Sequence, residues 1–370
     1  MRLQGVGRSL LASVLALWVV AGCHTSVHSV AIGFAFTYHL KAAIAVANEE
    51  IALRRLGRGP QVSIVYDSAV AGDPAAVEVR RAGRLAAVPG MVAVVGHSGS
   101  RASLAAAPVY NEAGIVQVTP NSTSRLLKSA GAWTFNLAPD DSVEGAFIGD
   151  FVAERLRAVR AAIYFENDEY GAGLRDGVVT ALGERGVAVL DRVPIDQTSD
   201  FHTLVAASLK RGVPDVVIVA GRQLEAGSIA RVMRERGVPR AVVAGDGALV
   251  LPTLTRAAGP AADSLYAVAF WMPDAPDSLS RAFVERYRRA TGELPQSVDA
   301  MSHDALMLLV DAVRAVGPSR VAVRQYLRDL GGSRPPYVGV TGRISFGPEA
   351  RPRLVMAHVV GGGVRRVVGP

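Results

Sequence analysis

The sequence predicts an α/β protein built from two successive doubly wound units. Three observations predict it. Short apolar runs alternate with longer amphipathic ones along most of the chain, a rhythm that gives a parallel sheet with helices on both faces. The rhythm stops near Pro139 and then restarts. Ser/Thr-rich stretches follow two of the apolar runs, at the strand ends where such sheets bind ligands.

In the first unit, Ser29 to Phe36 is expected as a strand and Tyr38 to Leu56 as a helix. Gln61 to Tyr66 is a strand. Asp73-Pro74 supplies an N-cap and a proline at the first helical position, opening a helix to about Ala87. Met91 to Val95 is a strand, Arg101 to Asn111 a helix and Ile115 to Thr119 a strand.

In the second unit, Ser142 to Leu156 is helical and Ala161 to Phe165 a strand. Leu174 to Arg185, Phe201 to Arg211 and Leu224 to Arg236 are helices. Val187 to Val193, Asp215 to Ala220 and Ala241 to Ala244 are strands. Two longer helical patterns follow, Ser278 to Thr291 and Pro295 to Val316, and the chain ends in strand-like runs, Gly342 to Phe346 and Arg353 to Val360.

The first 23 residues read differently. Arg2 and Arg8 form a positive region, and Leu10 to Ala21 an apolar run too short to cross a bilayer of roughly 30 Å comfortably. Val20-Ala21-Gly22-Cys23 resembles the lipobox of bacterial lipoproteins, which implies a signal peptide over 1–22, cleavage before Cys23 and a lipid on its sulfur. The alternative is an ordinary N-terminal membrane anchor with an incidental cysteine. Under both, the remainder works outside the cytoplasm, held at a membrane. Cys23 is the only cysteine, so no intramolecular disulfide forms and no thiol remains for catalysis.

The roughly 345 remaining residues suffice for two domains with sizeable cores. The formal charge of +7 is carried by scattered arginines, not by basic runs interleaved with aromatics, so nucleic-acid binding has little support. Gly96-His97-Ser98-Gly99-Ser100 approaches a nucleophile elbow but has serine where the last glycine belongs. Gly171-Ala172-Gly173 with Gly177 has one residue too many for the dinucleotide fingerprint and reads as a turn and close packing. No Walker loop is present, and the seven histidines have no metal-ligand spacing. Asp140-Asp141 and Glu49-Glu50 read as helix-start and solvated charges. No cofactor, metal or catalytic constellation is expected.

Gly96 to Ser100 follows one strand, and Pro120-Asn121-Ser122-Thr123-Ser124 the next. Hydroxyls and N–H groups at a helix start can hold a carboxylate, although serine and threonine also cap helices for structural reasons. These segments carry a wider resemblance: Val94-Val95-Gly96-His97 with Ser100, Asn111-Glu112-Ala113-Gly114-Ile115 leading to Thr119-Pro120-Asn121-Ser122-Thr123, Asp168-Glu169-Tyr170-Gly171 with Gly173-Leu174, Asp200-Phe201 with Leu204, and Gly245-Asp246-Gly247. In this order and spacing they resemble the leucine/isoleucine/valine-binding family, the substrate-binding proteins of branched-chain amino-acid ABC transporters.

The resemblance implies two Rossmann-like lobes, 23–139 with 270–341 and 140–269 with 342–370, joined by three crossovers near Pro139, Phe270 and Gly342, with a ligand cleft between them. Carried to matching positions, Ser100 and Thr123 would hold a ligand carboxylate through their hydroxyls and adjoining backbone N–H groups, Ser122 would line the same site, and Asn121 would offer its backbone carbonyl to the ammonium. Asp246 would face that ammonium, unless it is only a turn aspartate, and Tyr170 would close over the ligand. The implied function is an extracytoplasmic solute-binding lipoprotein without catalytic activity. It would capture a small amino acid or related carboxylate for an inner-membrane permease. The alternative on the same fold is a ligand-sensing or regulatory lipoprotein.

The pattern is broken in four places. The loop after Phe36 is short, Arg222 and His303 stand where tyrosine is frequent, and the disulfide of some members is absent. An unpaired Arg222 in the cleft would favour an acidic or strongly polar ligand over leucine. An Arg222 turned outward, or paired with Glu225, would not.

Overall fold

A computed structural model describes residues 30–36, 41–54, 60–68, 75–347 and 353–367 of the chain. The readings at Cys23, Tyr38, Leu56 and Asp73-Pro74, and the short loop after Phe36, lie outside these residues.

The first unit runs β1 (Val30–Phe36), α1 (Lys41–Arg54), β2 (Val62–Ser68), α2 (Ala75–Ala86), β3 (Met91–Gly96), α3 (Ser100–Ala113), β4 (Val116–Thr119) and β5 (Thr134–Asn136). Its five strands are all parallel, in the order β2-β1-β3-β4-β5. Every residue of β1 and β3 is buried, as both faces of a parallel sheet must be. The two faces still differ. Val30, Ile32, Phe34 and Phe36 point to one core, while Ala31 and Ala35 point to another with Leu85, Ala106 and Tyr110. Gly33 belongs to the small-residue face, where a Cβ would lie 2.9 Å from a methyl of Val94.

The second unit runs α4 (Asp141–Asp150), β6 (Arg160–Glu166), α5 (Glu169–Glu184), β7 (Ala188–Ile195), α6 (Phe201–Leu209), β8 (Val216–Ala220), α7 (Gln223–Glu235), β9 (Ala241–Ala244), α8 (Leu251–Ala258) and β10 (Leu265–Ala269). A turn of π-helix, Phe151–Arg155, extends α4. The chain then forms α9 (Ser278–Thr291), α10 (Ser297–Val316) and α11 (Arg320–Asp329), followed by β11 (Tyr337–Gly339), β12 (Gly342–Ile344), β13 (Val355–Val360) and β14 (Gly363–Arg366). The second sheet has the order β14-β13-β10-β9-β8-β6-β7, with β13 and β14 antiparallel. Ile163 and Phe165 pack towards α4 and α5, while Ala162 and Tyr164 pack towards α6 and α7.

The three helices after the second sheet's parallel strands return to the first unit, α9 packing Phe283 and Tyr287 with Ala43 and Val46 of α1. Leu306, Leu309, Val310 and Val313 of α10, with Val323 and Leu327 of α11, cover the Phe34 face of the first sheet. The expected third crossing at Gly342 falls later. β12 pairs with β11, Ile344 packs on Leu308 and Leu330, and Phe346 meets Phe135 edge-on with ring centroids 5.0 Å apart. That apolar burial keeps the segment with the first unit through Phe346.

α5 begins five residues earlier than the sequence reading. Asp168 caps it, accepting from the N–H groups of Tyr170 (3.1 Å) and Gly171 (2.8 Å). Gly171, Gly173 and Gly177 therefore lie inside a helix, not in a turn. Close packing is the correct part of that reading. A Cβ on Gly173 would lie 2.1 Å from a carboxylate oxygen of Asp141, and one on Gly177 2.3 Å from the Asp141 carbonyl. The glycines let α4 and α5 touch backbone to backbone.

Candidate ligand site

The carboxyl ends of β3 and β4 hold the first group of site residues. Gly99, with φ of 86°, turns the chain into α3 in a conformation that suits glycine. Ser100 then opens the helix, 1% exposed. Its Oγ accepts from the N–H groups of Thr123 and Ser124, each at 3.2 Å. This corrects one expectation, since those two N–H groups are engaged by Ser100 and do not await a ligand. A hydroxyl that already accepts twice keeps its own proton for donation outward. Thr123 is fully buried and its Oγ1 has no partner, and the buried Oδ1 of Asn121 has none either. Ser122 is tied inward, 2.6 Å from the Thr119 hydroxyl and 2.9 Å from that of Ser103.

His97 braces this corner. It is completely buried, with Nδ1 2.5 Å from Glu78 and Nε2 2.9 Å from the Tyr110 hydroxyl. Glu78 in turn pairs with Arg81 at 2.6 Å. Ser103 donates to the His97 carbonyl at 3.0 Å, which fastens the β3 loop to α3. His97 is thus a core histidine, as is the buried His303, whose ring packs against Phe283 with centroids 4.8 Å apart.

The second unit supplies carboxyls. The Asp246 N–H donates to Glu144 Oε1 at 2.8 Å, and the Gly247 N–H donates to the Tyr170 hydroxyl at 3.1 Å. The Tyr170 ring is wedged beneath this turn. A Cβ on Gly245 would lie 2.5 Å from its hydroxyl, and one on Gly247 3.0 Å. Tyr170 therefore holds the Asp246 turn in place. Asp246 Oδ1, Glu144 Oε2 and both carboxylate oxygens of Asp141 are buried without hydrogen-bond partners. Burial pushes the Asp246 carboxyl up to about 7, opposed by the nearby Tyr170 hydroxyl and reinforced by the charge of Asp141. Burial likewise raises Asp141 to about 6. Glu144 rises well above the usual carboxylate range, through burial and then the charge of Asp246.

Glu144 and Asp141 are the residues that sequence reasoning missed. Asp140-Asp141 was expected as a helix-start pair of solvated charges. Asp140 does cap α4, accepting from Ser142 at 2.9 Å, but Asp141 is 1% exposed. The available signal is the spacing. Asp141 and Glu144 stand three apart on the first turn after the crossing, which puts both on one helix face.

The two units meet here. The Asp141 N–H donates to the Thr123 carbonyl at 2.8 Å. Arg101, on the first turn of α3, reaches Glu169 at 3.2 Å and Asp168 at 3.6 Å on the other side. Arg222 is not the unpaired cation that the sequence allowed for. Its guanidinium pairs with Glu166 and with Asp168 at 3.0 Å, and its backbone N–H donates to Glu166 at 2.8 Å. A paired Arg222 requires no acidic group from a ligand, so the expected preference against leucine loses its physical basis. A separate groove of about 1220 Å³ lies along the crossing segments, lined by Leu137, Pro139, Phe270, Phe346 and Arg353 among others. It includes none of Ser100, Thr123, Tyr170 or Asp246.

Two sheets bridged by crossing segments, with hydroxyl donors on one side and carboxyls on the other, fit a protein that closes on a small molecule. The family model for periplasmic binding protein matches residues 28–357. This chain belongs to that family. The periplasmic binding protein is 30% identical over 316 residues to an amino acid binding protein of Pseudomonas aeruginosa, covering 85% of this chain and 82% of that one. It is 28% identical over 274 residues to Leu/Ile/Val-binding protein homolog 1 of Brucella suis, covering 72% and 71%. The fold matches that of a leucine-binding protein from Thermotoga maritima with a TM-score of 0.83, at 24% identity, over 92% of this chain and 98% of the other. The two-lobed architecture is therefore that of the family, whose members bind solutes outside the cytoplasm. Among the described residues, no helix is long and apolar enough to cross a membrane.

Proposed function

We propose that this periplasmic binding protein captures a small amino acid between its lobes and presents it to an inner-membrane ABC permease, without catalysing a reaction. One observation carries the reading: buried hydroxyls and buried carboxyls, several of them without a hydrogen-bond partner, stand on the two sides where the lobes meet. Ser100 and Thr123 offer hydroxyls to a carboxylate, and Asp246 offers a carboxylate to an ammonium, both charge-assisted contacts. Tyr170 and Glu144 position the Asp246 turn, while Asn121 would offer its backbone carbonyl to the ammonium. The relatives named for amino-acid binding support the substrate class.

Calorimetry of the purified protein against a panel of amino acids and small carboxylates tests this. At least one amino acid should bind, and small-angle scattering should show a smaller radius of gyration at saturation as the lobes close. Binding to the folded state alone should also raise its stability, by about 2.7 kcal/mol at a hundredfold excess over Kd. A panel without any binder, or an unchanged radius at saturation, argues for a static scaffold.

The N-terminus supports a lipid anchor at Cys23, on the resemblance of Val20-Ala21-Gly22-Cys23 to a lipobox. Cys23→Ser should abolish incorporation of labelled palmitate while leaving the melting temperature of the folded lobes unchanged. Equal labelling of the variant and the parent would remove the anchor from the proposal.

A further inference from the structure

Glu144 is completely buried, and the capture scheme above gives its second oxygen nothing to do. Its Oε1 accepts the Asp246 N–H, so the two residues are held side by side, and Asp246 Oδ1 is buried and unpartnered like Glu144 Oε2. Asp141 faces the pair from the same helix, and Tyr170 from α5 with its hydroxyl bonded to Gly247. Arg222, at the start of α7, is taken by Glu166 and Asp168, with Glu225 beside it. Arg222 also attracts Asp246, and Arg125 attracts Asp141. The fully buried and unpartnered Thr123 hydroxyl arrives from the other lobe, carried in by the backbone bond between Thr123 and Asp141. Three buried carboxyls thus stand together, and none of them forms an ion pair among the described residues.

Neighbouring carboxyls removed from water cannot both carry charge, because desolvation and mutual repulsion each favour the protonated form. We propose that Glu144 and Asp246 hold one shared proton in the free protein and exchange it for the cationic group of the ligand, so that capture releases a proton. This rests on the amino-acid reading of the site. The charge balances. The carboxyl O–H bond breaks, its proton passes to the buffer, and the ligand's ammonium takes up the same unit of positive charge beside the carboxylate. A ligand with no cationic group has nothing to exchange and leaves the proton in place. The pair therefore discriminates amino acids from plain carboxylates, favouring the former more strongly as pH rises. Below the pKa of the pair, affinity for an amino acid should fall by about tenfold per pH unit, and above it the affinity should be flat.

Infrared difference titration of the ligand-free protein tests the shared proton directly. A buried carboxylic-acid carbonyl band should persist to near neutral pH in the parent protein and vanish at lower pH in Glu144→Gln. That variant keeps the acceptor for the Asp246 N–H, and its unchanged melting temperature would confirm that it folds. Absence of the band above about pH 5.5 in the parent overturns the proposal whatever the ligand. Calorimetry with L-leucine at pH 6, in two buffers of different ionisation heat, tests the exchange. About one proton should be released by the parent at pH 6, and close to none well above the pKa of the pair, where both carboxyls are already ionised. Leucine binding without proton release overturns the exchange. Absence of any leucine heat while the band is present counts against the amino-acid reading and supports the shared proton.

Discussion

Asp246→Ala should lower the affinity for a zwitterionic amino acid by at least about a hundredfold. Removing one partner of a buried charge pair costs roughly 3–5 kcal/mol, because the remaining charge is stranded out of water. The side chain sits at the head of the turn held by Glu144 and Tyr170, and its buried oxygen has no other partner to lose. Thr123→Ala removes one charge-assisted hydrogen bond instead, worth about 1.5–3 kcal/mol, and should cost about ten- to a hundredfold. Calorimetry on both variants measures the losses, and a ligand lacking an amino group serves as the control, since Asp246→Ala should leave its binding almost untouched. Losses below about twofold for both, with folding preserved, would remove these residues from the site. The free protein should behave in the opposite sense. Asp141, Glu144 and Asp246 have folded pKa values raised above the unfolded range, so the folded state holds protons that the unfolded chain releases. Their contribution is fully present below about pH 4 and is lost as pH rises towards about 7. Asp246→Ala should flatten that decline in a series of thermal melts.

Gly177→Val should be the most damaging substitution for the fold. The added Cβ would lie 2.3 Å from the Asp141 carbonyl, a backbone atom that cannot swing aside. The contact runs along both helices, since a Cβ on Gly145 would lie 2.4 Å from the backbone of Gly177, and one on Gly149 2.7 Å from the Ala181 methyl. Overpacking typically costs about 1–3 kcal/mol and occasionally more. For a domain of this size that is a fall in melting temperature of roughly 2–12 °C. Because α4 carries Asp141 and Glu144 and α5 carries Tyr170, prising them apart should weaken ligand binding as well. Gly183, on the same helix, is exposed and has nothing within 4 Å of its Cβ position. Gly183→Ala should instead stabilise by about 0.5–1 kcal/mol through helix propensity. Equal shifts for the two variants would show that helix propensity, not close approach, governs these positions.

Much of this was legible in the residue pattern. A strand buried on both faces has no polar positions, so Val216–Ala220 and Met91–Gly96 announce themselves as unbroken apolar runs. Amphipathic helices read as plainly, and Ser278–Thr291 has the bounds that its pattern predicts. Other elements were silent. Leu251–Ala258 and Leu265–Ala269 were assigned nothing in advance, because short helices and strands of alanine and leucine have no distinct period. The start of α5 lies earlier than its pattern predicts because three glycines within seven residues read locally as a turn. Only the facing helix shows why they are needed.

By itself, the sequence determined the layered α/β architecture, its division near Pro139 and the strand ends at which Ser100, Thr123 and Asp246 stand. Those features follow from local periodicity and from the rule that strand ends carry sites, and both are written in consecutive residues. The tertiary structure alone decided which groups are free to act. It paired Arg222 with Glu166 and Asp168, occupied the Thr123 and Ser124 N–H groups with Ser100, and buried Asp141 and Glu144 beside Asp246 with no ion pair among the described residues. The physical reason is that charge and hydrogen-bonding capacity are spent on whatever neighbour arrives in space. For Glu144 that neighbour lies 102 residues away along the chain.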